Sequence, residues 1–124
     1  MKKRSKLLPG ILIITIFFSS CSSLSPTQVY QTLPTLTKSK LLKQAEATEM
    51  VETNKCTYLS KNRYFVAPIG FTPNDDLKNG ARGIDEWVEL DGGNSYVLKN
   101  FKWVTVDDQG STQLHIDFDT LKCN

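Results

Sequence analysis

Residues 96–121, which read YVLKNFKWVTVDDQGSTQLHIDFDTL, carry the clearest indication of the fold. The runs 96–106 and 111–121 are rich in aromatic and β-branched residues and flank a short polar segment. This pattern predicts a β-hairpin, in which Gly110 supplies the positive φ that commonly follows a type I turn. The second strand alternates apolar and polar residues, so one face should pack on a core. The alternation slips around residues 99–100, which predicts a β-bulge.

A helix is predicted upstream of the hairpin, over Pro73–Leu90. Thr72 is a suitable N-cap, proline is favoured at the first helical position, and Asp75 lies where the helix dipole favours an acid. Gly80 and Gly83 weaken the helix by about 1 kcal/mol each relative to alanine, so we expect it to form through close packing on a sheet. One apolar stripe follows the helix at spacings of four, three and four residues: Leu77, Ala81, Ile84 and Val88.

Two short segments before this helix, Cys56–Leu59 and Tyr64–Ile69, have the composition of a strand or of a strand with an irregular extension. The predicted order is therefore strand, helix, strand, strand. The simplest architecture is an α+β domain with a small antiparallel sheet and one helix packed on one face. We place this domain at residues 54–124.

The N-terminus predicts export. Basic residues precede the apolar run Leu7–Phe18, which is about half of the ~20 residues that a membrane-spanning helix needs. The four residues Phe18–Cys21 resemble the lipobox of bacterial lipoproteins. The resemblance implies cleavage of residues 1–20, diacylglycerol on the Cys21 sulfur and acylation of the new amino terminus. An ordinary cleaved signal and an uncleaved anchor are the alternatives. Ser22 follows the cysteine, which resembles the rule for outer-membrane sorting.

Charge changes sign when the signal peptide is removed. Residues 1–20 hold four of the fifteen Lys and Arg residues and none of the thirteen acids, so the remaining chain carries a net charge of −2. The basic character of the whole chain thus comes from its targeting segment. No basic face for nucleic acid is expected on the exported protein.

Cys56 and Cys123 are the cysteines that follow Cys21 in the chain. In an oxidising compartment such a pair is normally a disulfide, and we predict one between them. A domain of this size buries little apolar surface, so a covalent link between its first and last strands supplements its stability. A redox-switching pair is the alternative, but no CxxC spacing supports it.

Residues 21–53 are predicted to be an acylated N-terminus, a flexible tether and an ambiguous segment. Residues 22–39 are rich in Ser, Thr, Pro and Gln, a composition that does not support a packed core. At about 3 Å per residue such a tether would hold the domain some tens of ångströms from the membrane. Residues 40–52 are compatible with a helix or with an extended edge.

The C-terminal part of the chain resembles a family of small bacterial envelope lipoproteins of uncharacterised function, similar in architecture to the stress-sensing lipoprotein of the Rcs system. The resemblance rests on Cys56–Leu59, Asn74–Ala81, Gly93–Leu98 and Lys122–Cys123. The chain departs from the pattern where Gly83–Leu90 lengthens the helical region, and it lacks the sensor's additional cysteine pair. The resemblance implies the fold and the disulfide, and it implies no catalytic residues.

Several polar residues could form a metal or catalytic site, but each group also has a purely structural interpretation. His115, Asp117 and Asp119 share one predicted strand face and could ligate a divalent ion, but three ligands along one strand are nearly linear. A solvated sheet face is the favoured interpretation. Asp75–Asp76 and Asp107–Asp108 are interpreted as a helix start and a hairpin turn. The sole histidine has no nearby nucleophile, so we expect no enzyme, no metal and no cofactor.

Trp87, Phe101 and Trp103 are candidates for a partner-binding surface, since one helix cannot cover both faces of a sheet. Core packing is the alternative. Two functions remain open. The favoured one is a non-enzymatic, lipid-anchored envelope lipoprotein that contacts another envelope protein or peptidoglycan, with a role in envelope maintenance or stress sensing. The other is an inhibitor of a foreign lysozyme or protease, acting through Gly70–Asn74 or Asp107–Gly110.

Overall fold

The computed structural model describes residues 24–124, so the expected signal peptide at residues 1–20 and the lipidation site Cys21 lie outside the described residues. Within the described part the chain forms three helices and one four-stranded sheet. In chain order the elements are α1 (Pro26–Leu36), β1 (Lys40–Leu42), α2 (Gln44–Glu52), β2 (Cys56–Val66), α3 (Pro73–Leu90), β3 (Ser95–Thr105) and β4 (Thr112–Cys123).

The sheet has the strand order β1-β3-β4-β2. Strands β2, β4 and β3 are antiparallel, which confirms the α+β class, and the short β1 adds a parallel strand beside β3. The pairing of β3 with β4 is irregular between Leu98 and Asn100, so the predicted bulge is confirmed. Gly110 has a φ of +84°, as the predicted turn requires.

Helix α3 packs closely on β4 and β2. The Thr72 side chain accepts a hydrogen bond from the Asp75 N–H at 3.1 Å, which is the expected N-cap. A Cβ atom added at Gly80 would lie 2.7 Å from Cδ1 of Ile116, and one added at Gly83 would collide with the Phe65 ring. The glycines therefore allow the close approach that the sequence predicts. The whole predicted apolar stripe of α3 is buried.

The prediction of a flexible tether over residues 22–39 is wrong where the chain forms α1. Ser25 caps this helix by accepting a hydrogen bond from the Gln28 N–H, and the Gln28 side chain accepts one from the Ser25 N–H. Val29 and Leu33 are each 1% exposed and belong to the main core. Scattered apolar residues suffice here because their spacing of four places them on one helix face, and a core already exists for that face to cover.

Residues 40–52 contain both kinds of structure that the sequence leaves open. Lys40–Leu42 is extended and pairs with Ser95–Val97, whereas Met50 and Val51 are helical and pack on the second core cluster. In the sequence, Leu41 and Leu42 suit a helical turn and Met50 and Val51 suit an extended edge, and neither alternative is favoured. Pairing with β3 decides the conformation of residues 40–42.

Helices lie on both faces of the sheet, but they cover them unequally. On one face α1 and α3 bury the main core, which includes Tyr96, Leu114, Ile116 and Phe118. On the other face α2 packs on a smaller cluster that contains Leu42, Ala47, Cys56, Val97 and Leu121. Cys56 and Cys123 form the predicted disulfide between the paired ends of β2 and β4. We call this end of the sheet the disulfide end.

We call the opposite end of the sheet the hairpin end. It carries the β2–α3 loop, residues 67–72, and the β3–β4 turn, residues 106–111. The Asp76 carboxylate ties the two together, because it accepts hydrogen bonds from the Gly70 N–H at 2.7 Å and from the Thr112 hydroxyl at 3.1 Å. None of the helices described in residues 24–124 is sufficiently long and apolar to cross a membrane.

Candidate functional site

A mostly apolar groove of about 520 Å³ lies between α1, β1 and α2. Its walls include Tyr30 and Pro34 from α1 and Leu41 from β1, and Leu98 of β3 contributes beside them. Tyr30 is 45% exposed, and its hydroxyl approaches the Leu98 carbonyl oxygen at 3.5 Å. This groove is the concave apolar surface that best fits a binding site.

The groove borders an open strand edge. Strand β1 pairs with β3 only over Ser95–Val97, whereas β3 continues to Thr105. Beyond Val97, the outer edge of β3 has no strand neighbour within residues 24–124. An unpaired edge presents backbone N–H and C=O groups that a further strand can use. The arrangement is suited to an extended peptide, whose side chains would enter the adjoining apolar groove.

Polar side chains form the rim of the groove where α2 begins. Lys99, at the β-bulge, donates a hydrogen bond to the Gln44 side chain at 3.1 Å and lies 3.6 Å from the Asp119 carboxylate. Lys43 and Glu46 complete this rim. The groove therefore has an apolar interior and a rim that carries both signs of charge.

The three aromatic residues proposed as a partner surface do not form one patch. Phe101 and Trp103 meet edge to face with ring centroids 5.9 Å apart, and Tyr30 packs on Phe101 at 6.1 Å. Phe101 and Trp103 are each half-buried against the main core. Trp87 lies apart from them, under the guanidinium of Arg63 at 4.2 Å. The exposed aromatic residue beside the groove is Tyr30, which the sequence analysis did not single out.

The strand face with His115, Asp117 and Asp119 is divided among separate contacts. His115 contacts the Tyr64 hydroxyl, whereas Asp119 is buried and accepts a hydrogen bond from the Asn62 N–H at 2.8 Å. Within residues 24–124, no group of three or more His, Cys, Asp or Glu side chains is placed to hold a metal ion. Asp119 thus stabilises the irregular part of β2, where Asn62 has a positive φ.

The two acid pairs lie in the elements expected for them. Asp107 accepts hydrogen bonds from the N–H groups of Ser111 and Gln109 in the hairpin turn, and the Ser111 contacts in particular lower its pKa. Asp75 lies in the first turn of α3. Asp76, in contrast, is buried and links two loops, a role that its position in the helix start did not indicate.

The carboxylate of Asp85, which the sequence analysis missed, anchors the end of α1. It accepts hydrogen bonds from the N–H groups of Lys38 at 2.8 Å and Ser39 at 3.0 Å. Nearby, the hydroxyl groups of Thr37 and Tyr96 lie 3.0 Å apart. Burial raises the pKa of Tyr96 to about 12, so this phenol stays protonated. No local sequence signal identifies these contacts, because they join residues far apart in the chain.

The two loops proposed for an inhibitor lie together at the hairpin end. Phe71 and Thr72 from one loop and Gln109 and Gly110 from the other line a depression of about 380 Å³. The Phe71 side chain is 102% exposed, so it makes almost no contact with the rest of the domain. Ile69 of the same loop is 52% exposed, so the loop displays two apolar side chains together.

Comparisons with protein-family models, with curated proteins and with solved structures give no significant match to this chain. The resemblance to small envelope lipoproteins therefore stays a prediction, and the function rests on the geometry of the chain itself.

Proposed function

We propose that the protein is a non-enzymatic, lipid-anchored lipoprotein of the bacterial envelope that binds an extended segment of another envelope protein. The lipobox-like Phe18–Cys21, after a basic and apolar leader, supports the anchor, and Ser22 after the cysteine supports an outer-membrane location. The Cys56–Cys123 disulfide agrees with an oxidising compartment. Monitoring or maintenance of the envelope is the role proposed for it.

The observation that carries the binding function is the groove beside the open edge of β3. Backbone groups beyond Val97 would hydrogen-bond to the added segment, which would replace the Tyr30 hydroxyl at the Leu98 carbonyl oxygen and the Asn100 side chain at the Phe101 N–H. The apolar walls of the groove would select its side chains. A strand edge favours a polypeptide over peptidoglycan, because its donors and acceptors repeat at the spacing of another extended backbone.

A second candidate function is inhibition of a foreign hydrolase. The fully exposed Phe71 and the adjoining hairpin turn favour it, since an inhibitor needs a projecting side chain on a supported loop. The two candidates use different surfaces. They can therefore be separated with variants of the same protein.

The binding function is tested by affinity capture from solubilised envelope fractions, with the mature acylated protein as bait. Tyr30→Glu places a charge in the groove, and Gln31→Glu places the same charge on the neighbouring exposed residue of α1, outside the groove. We expect wild type and Gln31→Glu to retain the same envelope protein. Tyr30→Glu should bind that protein about tenfold more weakly, which corresponds to a loss of about 1.4 kcal/mol of binding free energy.

Three other outcomes contradict this proposal. Equal retention by Tyr30→Glu excludes the groove as the binding site. Retention of peptidoglycan fragments in place of a protein assigns cell-wall binding. Capture of a lysozyme or protease that is lost on Phe71→Ala and kept by Tyr30→Glu assigns the inhibitor function.

The anchor is tested separately by mass spectrometry of the protein extracted from membranes. We expect the mature chain to begin at Cys21 and to carry diacylglycerol and an amide-linked acyl chain. Cys21→Ser should leave the protein without acyl chains and release it from the membrane fraction, since the proposed anchor consists of those chains. An unmodified residue 21 in the wild-type protein contradicts the proposal.

A further inference from the structure

The folded domain starts close to the proposed anchor. Ser25 is the N-cap of α1, and Leu24 packs against the main core. Only Ser22 and Ser23 lie between Leu24 and Cys21. A fully extended chain spans at most about 3.5 Å per residue, so Leu24 lies within about 11 Å of Cys21. An acylated Cys21 would therefore bring the domain to the bilayer surface.

The direction of α1 determines which end of the domain lies nearest the anchor. The C-terminal end of α1 is beside the start of β3, where the Thr37 hydroxyl meets that of Tyr96. Further back along α1, Tyr30 packs on Phe101. The helix thus runs antiparallel to β3, and its N-terminus points toward the end of that strand. At 1.5 Å per residue, Leu24 lies about 9 Å beyond Tyr30 in this direction, at the hairpin end.

The hairpin end also displays apolar side chains that the domain does not bury. Phe71 is 102% exposed, Ile69 is 52% exposed, and Val66 and Val106 are 37% and 40% exposed. The loop that carries Phe71 and Ile69 is held in place, because Asp76 accepts a hydrogen bond from the Gly70 N–H at 2.7 Å. The exposed aromatic and aliphatic groups are therefore presented from a supported loop.

We propose that the hairpin end is a membrane-docking face, which places Phe71 and Ile69 in the headgroup region of the bilayer that holds the acyl anchor. This inference rests on the lipid anchor of the proposed function. Aromatic and aliphatic side chains partition favourably into this region. Since the anchor already confines the domain to the surface, a small apolar contact is enough to orient it.

Charge at this end selects the kind of lipid. Asp75, Asp107 and Asp108 lie beside the exposed apolar groups, and hydrogen bonds from Ser111 keep the pKa of Asp107 below its usual value. Lys78 and Lys102 are the nearby exposed cations on α3 and β3. Acidic side chains are at least as numerous as basic ones at the hairpin end, so the domain has no basic surface to attract anionic lipids. Docking therefore depends on apolar insertion into a neutral bilayer. Added salt should weaken it little.

Docking in this orientation has a consequence for the rest of the molecule. The loop tips are turned to lipid, so they are not available to a hydrolase. The groove between α1 and α2, in contrast, lies toward the opposite half of the sheet and stays open to a protein in the envelope.

The test uses the mature acylated protein in phosphatidylcholine vesicles with or without brominated acyl chains, which quench tryptophan fluorescence on contact. Phe71→Trp reports on the hairpin end. Leu90→Trp is the matched control, because Leu90 is 75% exposed and lies at the end of α3 near the disulfide end. The fluorescence of the wild-type protein, which comes from Trp87 and Trp103, is subtracted from that of each variant. Ile69→Trp is a second reporter in the same loop.

We expect the added fluorescence of Phe71→Trp and Ile69→Trp to fall about twofold in brominated vesicles, and that of Leu90→Trp to stay unchanged. If the protein floats with the vesicles but Phe71→Trp is quenched no more than Leu90→Trp, the docking face is wrong. The lipid anchor is not contradicted by that result. Failure of the wild-type protein to float, with Cys21→Ser behaving identically, overturns the anchor and the docking face together.

Discussion

The guanidinium of Arg63 on β2 holds the carboxylate of Asp91 at the end of α3. Nε of Arg63 donates to Oδ2 of Asp91 at 3.1 Å, and the second nitrogen contacts the other oxygen. The Thr120 hydroxyl on β4 donates to the same Oδ2 at 2.7 Å. One carboxylate thus joins the helix to two strands, and the stacking of Arg63 on Trp87 shields the ion pair on one side.

Replacement of Asp91 by asparagine should destabilise the domain by about 1–3 kcal/mol, because a hydrogen-bonded charge pair is broken and Arg63 stays half-buried without its counter-ion. The free energy of unfolding in urea at neutral pH measures this loss. Glu89→Gln, an exposed position on the same turn, removes an equal charge and should change stability by less than about 0.5 kcal/mol. Equal effects of the two variants would contradict the prediction.

The same pair should make stability depend on pH at the acidic end. The hydrogen bond from Arg63, foremost, lowers the pKa of Asp91 below the usual 3.8 in the folded state. Its contribution is therefore fully present above the unfolded-state pKa and is lost as the pH falls through the lower, folded-state pKa. Unfolding curves between neutral pH and about pH 2 should show a smaller acid-induced loss for Asp91→Asn than for wild type.

A methyl group at position 83 should destabilise α3, although alanine is the better helix former by about 1 kcal/mol. A Cβ atom there would collide with the Phe65 ring, and overpacking of this kind typically costs about 1–3 kcal/mol. Gly83→Ala should therefore lower the thermal midpoint. The smaller side chain of Phe65→Leu should recover part of the loss in the double variant. Additive effects of the two substitutions would exclude the contact.

The disulfide links residues 67 apart in sequence, so its removal restores a large amount of freedom to the unfolded chain. The loop-entropy relation gives about 4 kcal/mol for a loop of this length. The paired variant Cys56→Ser with Cys123→Ser should lose stability by this order in urea unfolding. An unchanged unfolding midpoint would contradict the prediction. The paired substitution avoids a single reactive thiol, which would confuse the comparison.

Helix α1 should loosen when Asp85 loses its charge. Asp85→Asn weakens the acceptors for the N–H groups of Lys38 and Ser39, so amide hydrogen exchange in residues 26–39 should accelerate several-fold. Glu86→Gln, the exposed neighbour on α3, should leave exchange unchanged. Rapid exchange of residues 26–36 in the wild-type protein would show that α1 is not docked, as the tether prediction assumed.

Local patterns in the sequence were sufficient for the C-terminal part of the fold. The apolar stripe of α3, its cap at Thr72 and the hairpin with its bulge near Asn100 are set by contacts among near neighbours, so they can be read from spacing. The disulfide followed from the predicted compartment and from the number of cysteines. These features need no knowledge of distant partners.

The candidate site could not be found in this way. The groove joins Tyr30, Leu41 and Leu98, which come from three separate elements, and its open edge exists only because β1 ends at Leu42. All three aromatic residues chosen from the sequence proved to be half-buried against the main core, to which α1 contributes Val29 and Leu33. That helix was itself missed because its few apolar residues are ordered by a core that they do not form alone.

The amino-acid sequence by itself determined the antiparallel hairpin, the helix before it and the cysteine pairing, because periodicity, capping and covalent chemistry act over short distances or through few alternatives. Tertiary structure alone decided that residues 26–36 fold back as a helix and that a short parallel strand protects only part of the β3 edge. These outcomes depend on the sum of many weak apolar contacts between distant segments, which no local pattern records.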